Sequence, residues 1–541
     1  MTMSDSVKEN QNYDVVIVGA GFAGLYMLHR MHQAGRTARV FEAGSGVGGT
    51  WYWNRYPGAR CDIQSMEYSY SFSEELQQDW EWPEKYSAQP DIEKYANHVA
   101  DRFNLRPDIQ FDTRVTEASF DDDDSRWKIQ TDQGDAVTSQ FFIMATGCLS
   151  STNMPEIEGM DSYTGDTYHT GQWPKEDVDF TGKNVAIIGT GSSAIQSTPV
   201  IAQQAESLTV YQRTPSYSLP SANHPSDPEY VADVKANYKE FREANQKMPA
   251  GTGAEWLKDM NEPMMTYSPQ EQQEIMESMW TKGGFTFVRS FPDITLDYEA
   301  NEIAADFVRD KIRGTVEDPD TAELLCPEIV IGCKRMVIDS GYYESFNEKH
   351  VHLIDLRDNP IEGIEETGIR TSDGLREYDA IVYATGFDAM TGSILKVDIK
   401  GRENKSLRDE WAAGPRTYLG LNAVDFPNMF TITGPGSPSV LTNMMVSIEQ
   451  HVDWISDCIA YMDEKEFATI EATQDAQDAW VDHVNSVADK TLFTDPNCNS
   501  WYLGANVEGK TRVFMPLPGY PAYKEKCEEV VANGYQGFSL A

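Results

Sequence analysis

Short runs of β-branched and other apolar residues, each closed by glycine, recur along the chain and predict parallel strands buried on both faces. The first, Tyr13-Asp14-Val15-Val16-Ile17-Val18, flows into Gly19-Ala20-Gly21-Phe22-Ala23-Gly24 and then a helical stretch carrying Leu25, Leu28 and Met31. A second strand, Ala38 to Phe41, ends at Glu42. The same order returns as Val185-Ala186-Ile187-Ile188, then Gly189-Thr190-Gly191-Ser192-Ser193-Ala194, then a strand from Leu208 to Tyr211 ended by Gln212-Arg213. Two more apolar runs stop at Ala-Thr-Gly. Phe141-Phe142-Ile143-Met144 precedes Ala145-Thr146-Gly147, and Ile381-Val382-Tyr383 precedes Ala384-Thr385-Gly386. Both are expected to return the chain to the first sheet, one on each side of an inserted second unit. Between residues 223 and 330 the spacing turns helical. Ser268-Pro269-Gln270-Glu271 is a capping box with proline at the first helical position, opening a helix to Trp280. From Asn301 to Val316, Ile303, Phe307, Val308 and Ile312 sit at helical intervals and are expected in the core.

The glycines have separate physical tasks in dinucleotide binding. Gly19 makes the tight turn, Gly21 lets backbone approach a pyrophosphate, and Gly24 packs helix on strand. The helix N-terminus then faces the phosphates, and Glu42, about 20 residues on, takes ribose hydroxyls. The alternative is a glycine-rich turn in some other α/β protein. In the repeat, Gly189, Thr190, Gly191, Ser192, Ser193 and Ala194 form the equivalent loop, and Arg213 stands where an acid would accept a 2′-hydroxyl. Arginine cannot accept a hydrogen bond, but its planar fork matches a 2′-phosphate. The pair of preferences reads as FAD in the first unit and NADPH in the second; a solvated Arg213 over an NAD site is the other reading. The expected fold is α/β, with two dinucleotide-binding (Rossmann-like) domains, the NADPH domain inserted in the FAD domain, and a helical insertion. The divisions expected are 1–150 and 391–541 for the FAD domain, 151–222 and 331–390 for the NADPH domain, and 223–330 for the insertion.

Composition narrows the function further. Hydrophobic residues are 40% and charged residues 24% of the 541, as in a folded water-soluble protein. Lys+Arg 44 against Asp+Glu 86 gives a net charge of −42, which repels nucleic-acid phosphates and anionic lipid. The run Asp121–Asp124 reads as a solvated turn tip. Seven scattered cysteines contain no CxxC pair, which excludes a zinc ribbon and a thioredoxin-type couple. Met1 to Asn12 is polar, and no apolar run reaches the roughly 18 residues of a membrane span. The chain reads as reduced, soluble and cytoplasmic. His29 and His32 share one helix without a third ligand, so no metal site is expected. FAD with NADPH serves reductases and monooxygenases alike. A disulfide reductase needs a cysteine couple beside the flavin, and Cys326 and Cys333 have neither the spacing nor the position.

Specific motifs then separate these classes. Tyr163-Thr164-Gly165-Asp166-Thr167-Tyr168-His169-Thr170-Gly171-Gln172-Trp173-Pro174 resembles the FxGxxxHxxxW(P/D) fingerprint of type I Baeyer–Villiger monooxygenases, with Tyr163 keeping an aromatic ring in the phenylalanine place. Gly48-Gly49-Thr50-Trp51-Tyr52-Trp53-Asn54-Arg55-Tyr56-Pro57-Gly58-Ala59-Arg60-Cys61-Asp62 is similar to a second signature of that family. Lys334-Arg335, Gly434-Pro435-Gly436-Ser437-Pro438 and Ser500-Trp501-Tyr502-Leu503-Gly504-Ala505-Asn506 extend the resemblance over nearly the whole chain. Pro516-Leu517-Pro518-Gly519-Tyr520 departs from the family's glycine pair.

The resemblance implies an enzyme in which NADPH reduces FAD, the reduced flavin adds O₂ as a C4a-peroxide, and the peroxide attacks a small hydrophobic ketone to give an ester or lactone. It makes Arg335 and Asp62 the catalytic pair, with the guanidinium steadying the anionic oxygen. By the same resemblance Gly49, Thr50, Trp51, Trp53, Asp62, Tyr68 and Met444 meet FAD. Arg213, Thr214, Lys334, Arg335 and Trp501 meet NADPH. Ser439, Val440, Leu441 and Met444 form the substrate pocket, and His169 with Trp173 couples the domains. Residue-level alternatives are a surface role for Lys334 and a core role for Trp501, Trp53 and Tyr68. Two rival functions remain: a related flavin monooxygenase oxidising amine or sulfide sites, which needs a protonated hydroperoxide, and a protein that binds both nucleotides without turnover. The charge of −42 also suggests adaptation to salt, because counterions screen self-repulsion. Melting temperature should therefore rise as KCl is added; a flat or falling curve excludes that adaptation.

Overall fold

The structure is a computed structural model that describes residues 11–255 and 261–541; most of the polar start, residues 1–10, lies outside it. Val15, Val16 and Ile17 are fully buried because the strand Gln11–Val18 runs through the middle of a sheet. Val18 pairs with Phe41 on one side and Met144 on the other, all in parallel register. Eight strands of the described residues join this sheet, in the order 398–400, 115–121, 126–131, 136–144, 11–18, 38–41 and 109–110, with Met429–Thr431 also pairing onto the end of 136–144. The helix Phe22–Gln33 begins at the second glycine and buries Leu25, Met27, Leu28 and Met31. It packs on the long helix Met444–Glu464, where the Tyr26 hydroxyl donates to Asp453 at 2.7 Å.

The duplicated pattern builds a second sheet of five parallel strands, in the order 351–355, 207–212, 184–188, 380–383 and 166–169. This corrects the expectation for the second Ala-Thr-Gly run. Ala380–Tyr383 pairs with Asn184–Ile188 and Asp166–His169, so it belongs to the second sheet, while 398–400 and 429–431 return the chain to the first. The physical reason is symmetry. A Cβ on Gly19 would stand 2.7 Å from the Ala145 carbonyl oxygen, and one on Gly189 would stand 2.4 Å from that of Ala384. Each glycine turn is thus pressed against the Ala-Thr-Gly strand of its own sheet. A buried parallel strand is apolar on both faces in either sheet, so its composition does not reveal which one it joins.

The insertion follows its sequence signals closely. Ser268 and Glu271 make the reciprocal capping box, and the helix Pro269–Lys282 runs two residues past Trp280, to Gly283 at φ +74°. The second helix starts earlier than its apolar spacing predicts, at Tyr298, because the Asp297 side chain accepts the Glu299 and Ala300 N–H groups. Ser218–Pro220 and Val337–Asp339 pair in parallel where the chain leaves and re-enters the insertion, and the Ser218 hydroxyl donates to Asp339 at 2.6 Å. That small ladder fixes the backbone directly after Arg335.

The expectation of a fully reduced chain is corrected as well: Cys333 and Cys498 form a disulfide, leaving five free, buried cysteines. Residues 165 positions apart meet only through the tertiary fold, so spacing along the chain carries no trace of the pair. Asp122, Asp123 and Asp124 are exposed in a tight hairpin turn, with Asp122 pairing to Arg402 at 2.7 Å. Among the described residues no helix is long and apolar enough to cross a membrane. Two glycines offer a contrasting test. A Cβ on Gly24 would lie 1.9 Å from the Gly19 carbonyl oxygen, whereas Gly314, exposed in the helix Tyr298–Thr315, has nothing within 4 Å. Gly24→Ala should therefore yield protein without co-purifying flavin, and Gly314→Ala should add about 1 kcal/mol to stability in urea unfolding.

Candidate active site

One cavity of about 780 Å³ runs from the first glycine turn to the second. At its first end Gly19, Gly21, Glu42, Gly49, Thr50, Trp51, Trp53 and Tyr68 line the wall. A Cβ on Gly49, at φ +55°, would come within 2.8 Å of the Gly21 Cα, so two backbone turns meet in a shelf that admits no side chain. Glu42 is buried, and its carboxylate accepts the Ala20 N–H at 2.7 Å and the Gly44 N–H at 2.6 Å. Burial raises its pKa, and the two backbone bonds oppose that rise. Each carboxylate oxygen keeps a further lone pair for a ribose hydroxyl. Trp51 Nε1 donates to the Tyr68 hydroxyl at 3.1 Å, fixing both rings at the wall. This end therefore fits the FAD that the sequence implies.

At the other end stand Gly189, Thr190, Gly191, Ser192, Ser193, Arg213, Thr214 and Lys334. The Thr190 hydroxyl donates to the Thr214 carbonyl at 2.6 Å, tying the glycine turn to the loop that carries Arg213 just past the strand Ser207–Gln212. Neither Arg213 nor Lys334 makes a hydrogen bond or salt bridge among the described residues. Burial, and then the Arg213 charge, lowers the Lys334 pKa. Two cations left unpaired beside one another in a chain of net charge −42 make a strong anion site, and the arrangement fits a 2′-phosphate.

Between the two ends, Arg335 meets Asp62 from the other unit. Nε and Nη2 donate to the two carboxylate oxygens, each at 2.8 Å, and Nη1 donates to the Val440 carbonyl at 2.5 Å. The guanidinium lies 5.0 Å from the centre of the Phe285 ring. Its side chain is 24% exposed and that of Asp62 28%, so both face the cavity without being sealed from it. Burial alone pushes the Arg335 pKa down, but the charge and hydrogen bonds of Asp62 outweigh it and hold the group charged above its ordinary range. Tyr502 stands beside the pair with its hydroxyl pushed up to about 12, mainly by burial.

The remaining expected residues divide in two. Val440, Met444 and Trp501 are on the cavity wall. Ser439 and Leu441 are not: the Ser439 hydroxyl donates inward to the Thr433 carbonyl at 3.0 Å. Gly24 and Ala194 sit behind the wall in helix packing. His169, whose ring accepts the Gly171 N–H at 3.0 Å, lies 3.3 Å from the Thr385 hydroxyl, which itself donates to the Asn153 carbonyl. One imidazole therefore touches both stretches that join the units. Burial lowers its pKa. Trp173 is buried against Tyr168 and Phe180. The sequence reading missed Phe285, for which no local signal exists, and Tyr502, whose only signal is its place next to Trp501.

A family model described as pyridine nucleotide-disulphide oxidoreductase matches residues 16–279. Cys61 and Cys148 are the cysteines in that span and both are free, so the match reflects the dinucleotide fold and not a redox disulfide. The chain is 41% identical over 529 residues to a Baeyer–Villiger monooxygenase of Pseudooceanicola batsensis, covering 97% of this chain and 95% of that one. It is 38% identical over 537 residues to a phenazine N-monooxygenase of Lysobacter antibioticus, covering 98% of each. Among solved structures, oxidized steroid monooxygenase bound to NADP matches with a TM-score of 0.92 and 51% identity, over 98% of this chain and 99% of that one.

Cys61 and Cys148 line the cavity beside the arginine pair. Burial pushes both thiols up, Cys148 to about 11. Neither forms thiolate at neutral pH, so iodoacetamide at about pH 8 should leave both unmodified in native protein and label both after denaturation, as read by peptide mass mapping. Rapid native labelling of Cys148 would contradict this picture of the wall.

Proposed function

The chain belongs to the Baeyer–Villiger monooxygenase family, and from that premise we propose that Arg335, gripped by Asp62, is the group on which its chemistry turns. The protein is an NADPH- and O₂-dependent flavin monooxygenase that inserts one oxygen atom beside a ketone carbonyl to give an ester or lactone. When bound, FAD accepts the hydride of NADPH and supplies the O₂-derived oxygen that the substrate receives.

The residues of this chain do the rest. Arg335 holds a permanent positive charge where negative charge builds on oxygen, first on the attacking atom and then on the former carbonyl oxygen of the adduct. Asp62 fixes the plane of the guanidinium by its two hydrogen bonds and leaves Nη1 directed at the Val440 loop. Arg213 and Lys334 take the 2′-phosphate, with Thr214 and the Gly189–Ala194 turn along the rest of the nucleotide. Gly19, Gly21, Glu42, Gly49, Thr50, Trp51, Trp53 and Tyr68 hold FAD, with Gly24 setting the helix behind them. Val440 and Met444 give the substrate an apolar wall, which suits a small hydrophobic ketone, and Trp501 covers the nicotinamide side. His169 and Trp173 orient the two units across the divisions at 150, 222, 330 and 390. The observation that carries this reading is the bidentate contact of Arg335 with Asp62 on the wall shared by both nucleotide ends.

A second reading, oxygen transfer to nitrogen or sulfur, is favoured by the likeness to the phenazine N-monooxygenase. It requires an oxygen donor that stays protonated, which a fixed guanidinium opposes. Arg335→Ala separates the two. Ester formation should fall at least about 100-fold with flavin still bound, as measured by product analysis over linear, cyclic and aryl ketones. Ketone oxidation surviving in that variant, or amine oxidation as the main activity of the parent, would favour the second reading.

A further inference from the structure

Two short segments bring side chains to the cavity from opposite units. Residues 334–335 bring Lys334 and Arg335, and residues 499–501 bring Asn499 and Trp501. The residue before each segment is a cysteine, and these two, Cys333 and Cys498, are bonded to each other with both residues 1% exposed. We propose that this disulfide is a positioning element for NADPH. It fastens the wall that carries Trp501 to the wall that carries Lys334 and Arg335, so the nucleotide is held from both sides. The inference rests on reading the cavity as the NADPH site.

The attachments around the bond support this role. On one side the foot is rigid: Asn301, in the helix Tyr298–Thr315, donates to the Ile331 carbonyl at 2.9 Å and accepts the Ile331 N–H at 3.0 Å. On the other side Cys498 is stationed by its own N–H to the Asp495 carbonyl at 3.1 Å, and the Tyr298 hydroxyl reaches the Asp495 carboxylate at 3.0 Å. After Trp501 the Tyr502 carbonyl accepts the Met515 N–H at 3.1 Å, within the same unit, and the chain reaches the domain linker at Asn506, whose side chain donates to the Phe387 carbonyl at 2.8 Å. Between these ties, the N–H groups of Leu503, Gly504 and Ala505 bond back to Ser500 and Trp501, and the Leu503 carbonyl accepts the Val513 N–H at 3.2 Å. These bonds hold the segment within its own unit, and the covalent bond to Cys333 joins it to the wall that carries Lys334 and Arg335, setting where Trp501 stands relative to Arg335. A dithiol reductant reverses it: two electrons and two protons pass to the protein, the sulfur–sulfur bond breaks, two thiols form, and the reductant closes to its own disulfide. The nucleotide then keeps only the non-covalent ties on the Trp501 side.

The experiment compares the parent holoenzyme with Cys333→Ser/Cys498→Ser, each with and without dithiothreitol. Thiol titration of denatured, unreduced parent should count five thiols, rising to seven after reduction. Reduction of the parent should raise KM for NADPH on the order of tenfold and divert more NADPH oxidation to hydrogen peroxide, with flavin content and kcat at saturating NADPH little changed. The double variant should show the same values from the start and ignore the reductant. A merely structural bond would lower the melting temperature and leave that split unmoved, which overturns the proposal. So would seven thiols before reduction, or an equal response of parent and variant to dithiothreitol. Ester formation by untreated parent reports the oxygenase function separately, whereas the thiol count and NADPH dependence test the tether.

Discussion

A guanidinium bonded at two points by one carboxylate, with partners 273 positions apart in the chain, is the contact around which the two units are arranged. Taking both charges partly out of water is costly, and a pair of this kind adds little net stability to a fold. Its persistence makes sense as preorganisation: the cation is held still before any negative charge arrives, so no reorganisation is needed when it does. The Phe285 ring on one face and the Val440 carbonyl at Nη1 complete the fixing. The insertion, the NADPH unit and the FAD unit thus all converge on one side chain.

The electrostatic setting sharpens the same point. In a chain of net charge −42, Arg213 and Lys334 stand together on one wall without acidic partners among the described residues. Acidic side chains are plentiful elsewhere, and many arginines and lysines on the surface are paired with them. Leaving these two unpaired keeps their donors free for an incoming anion. At the opposite end Glu42 is the reverse case, a buried acid on the cavity wall kept in place by two backbone N–H groups.

Communication between the ends runs through few contacts. The His169 ring reaches Thr385, and Thr385 reaches Asn153, so both joining stretches share one polar chain. The signature loop also docks on the second unit, where the Tyr56 hydroxyl donates to Gln196 at 2.8 Å and a Cβ on Gly58 would lie 2.2 Å from the Gln196 carbonyl oxygen. The late segment closes the circuit through Cys498 and Asn506. A change in the angle between the units must be felt at each of these points.

What consecutive residues alone determined were the features with strict local demands. Gly19 at φ +102° and Gly189 at φ +121°, the capping box at Ser268, and the acid-or-arginine choice at Glu42 and Arg213 each satisfy a steric or charge requirement within a few positions. The motif around His169 and the loop ending at Asp62 carried the family likeness for the same reason. The tertiary structure alone decided which sheet Ile381–Tyr383 entered, which of Ser439 to Leu441 reached the cavity, that Phe285 lay against the guanidinium, and that Cys333 met Cys498. Those outcomes depend on surfaces brought together over hundreds of residues, where apolar composition, a lone cysteine or a single aromatic ring is compatible with many neighbours and packing selects one.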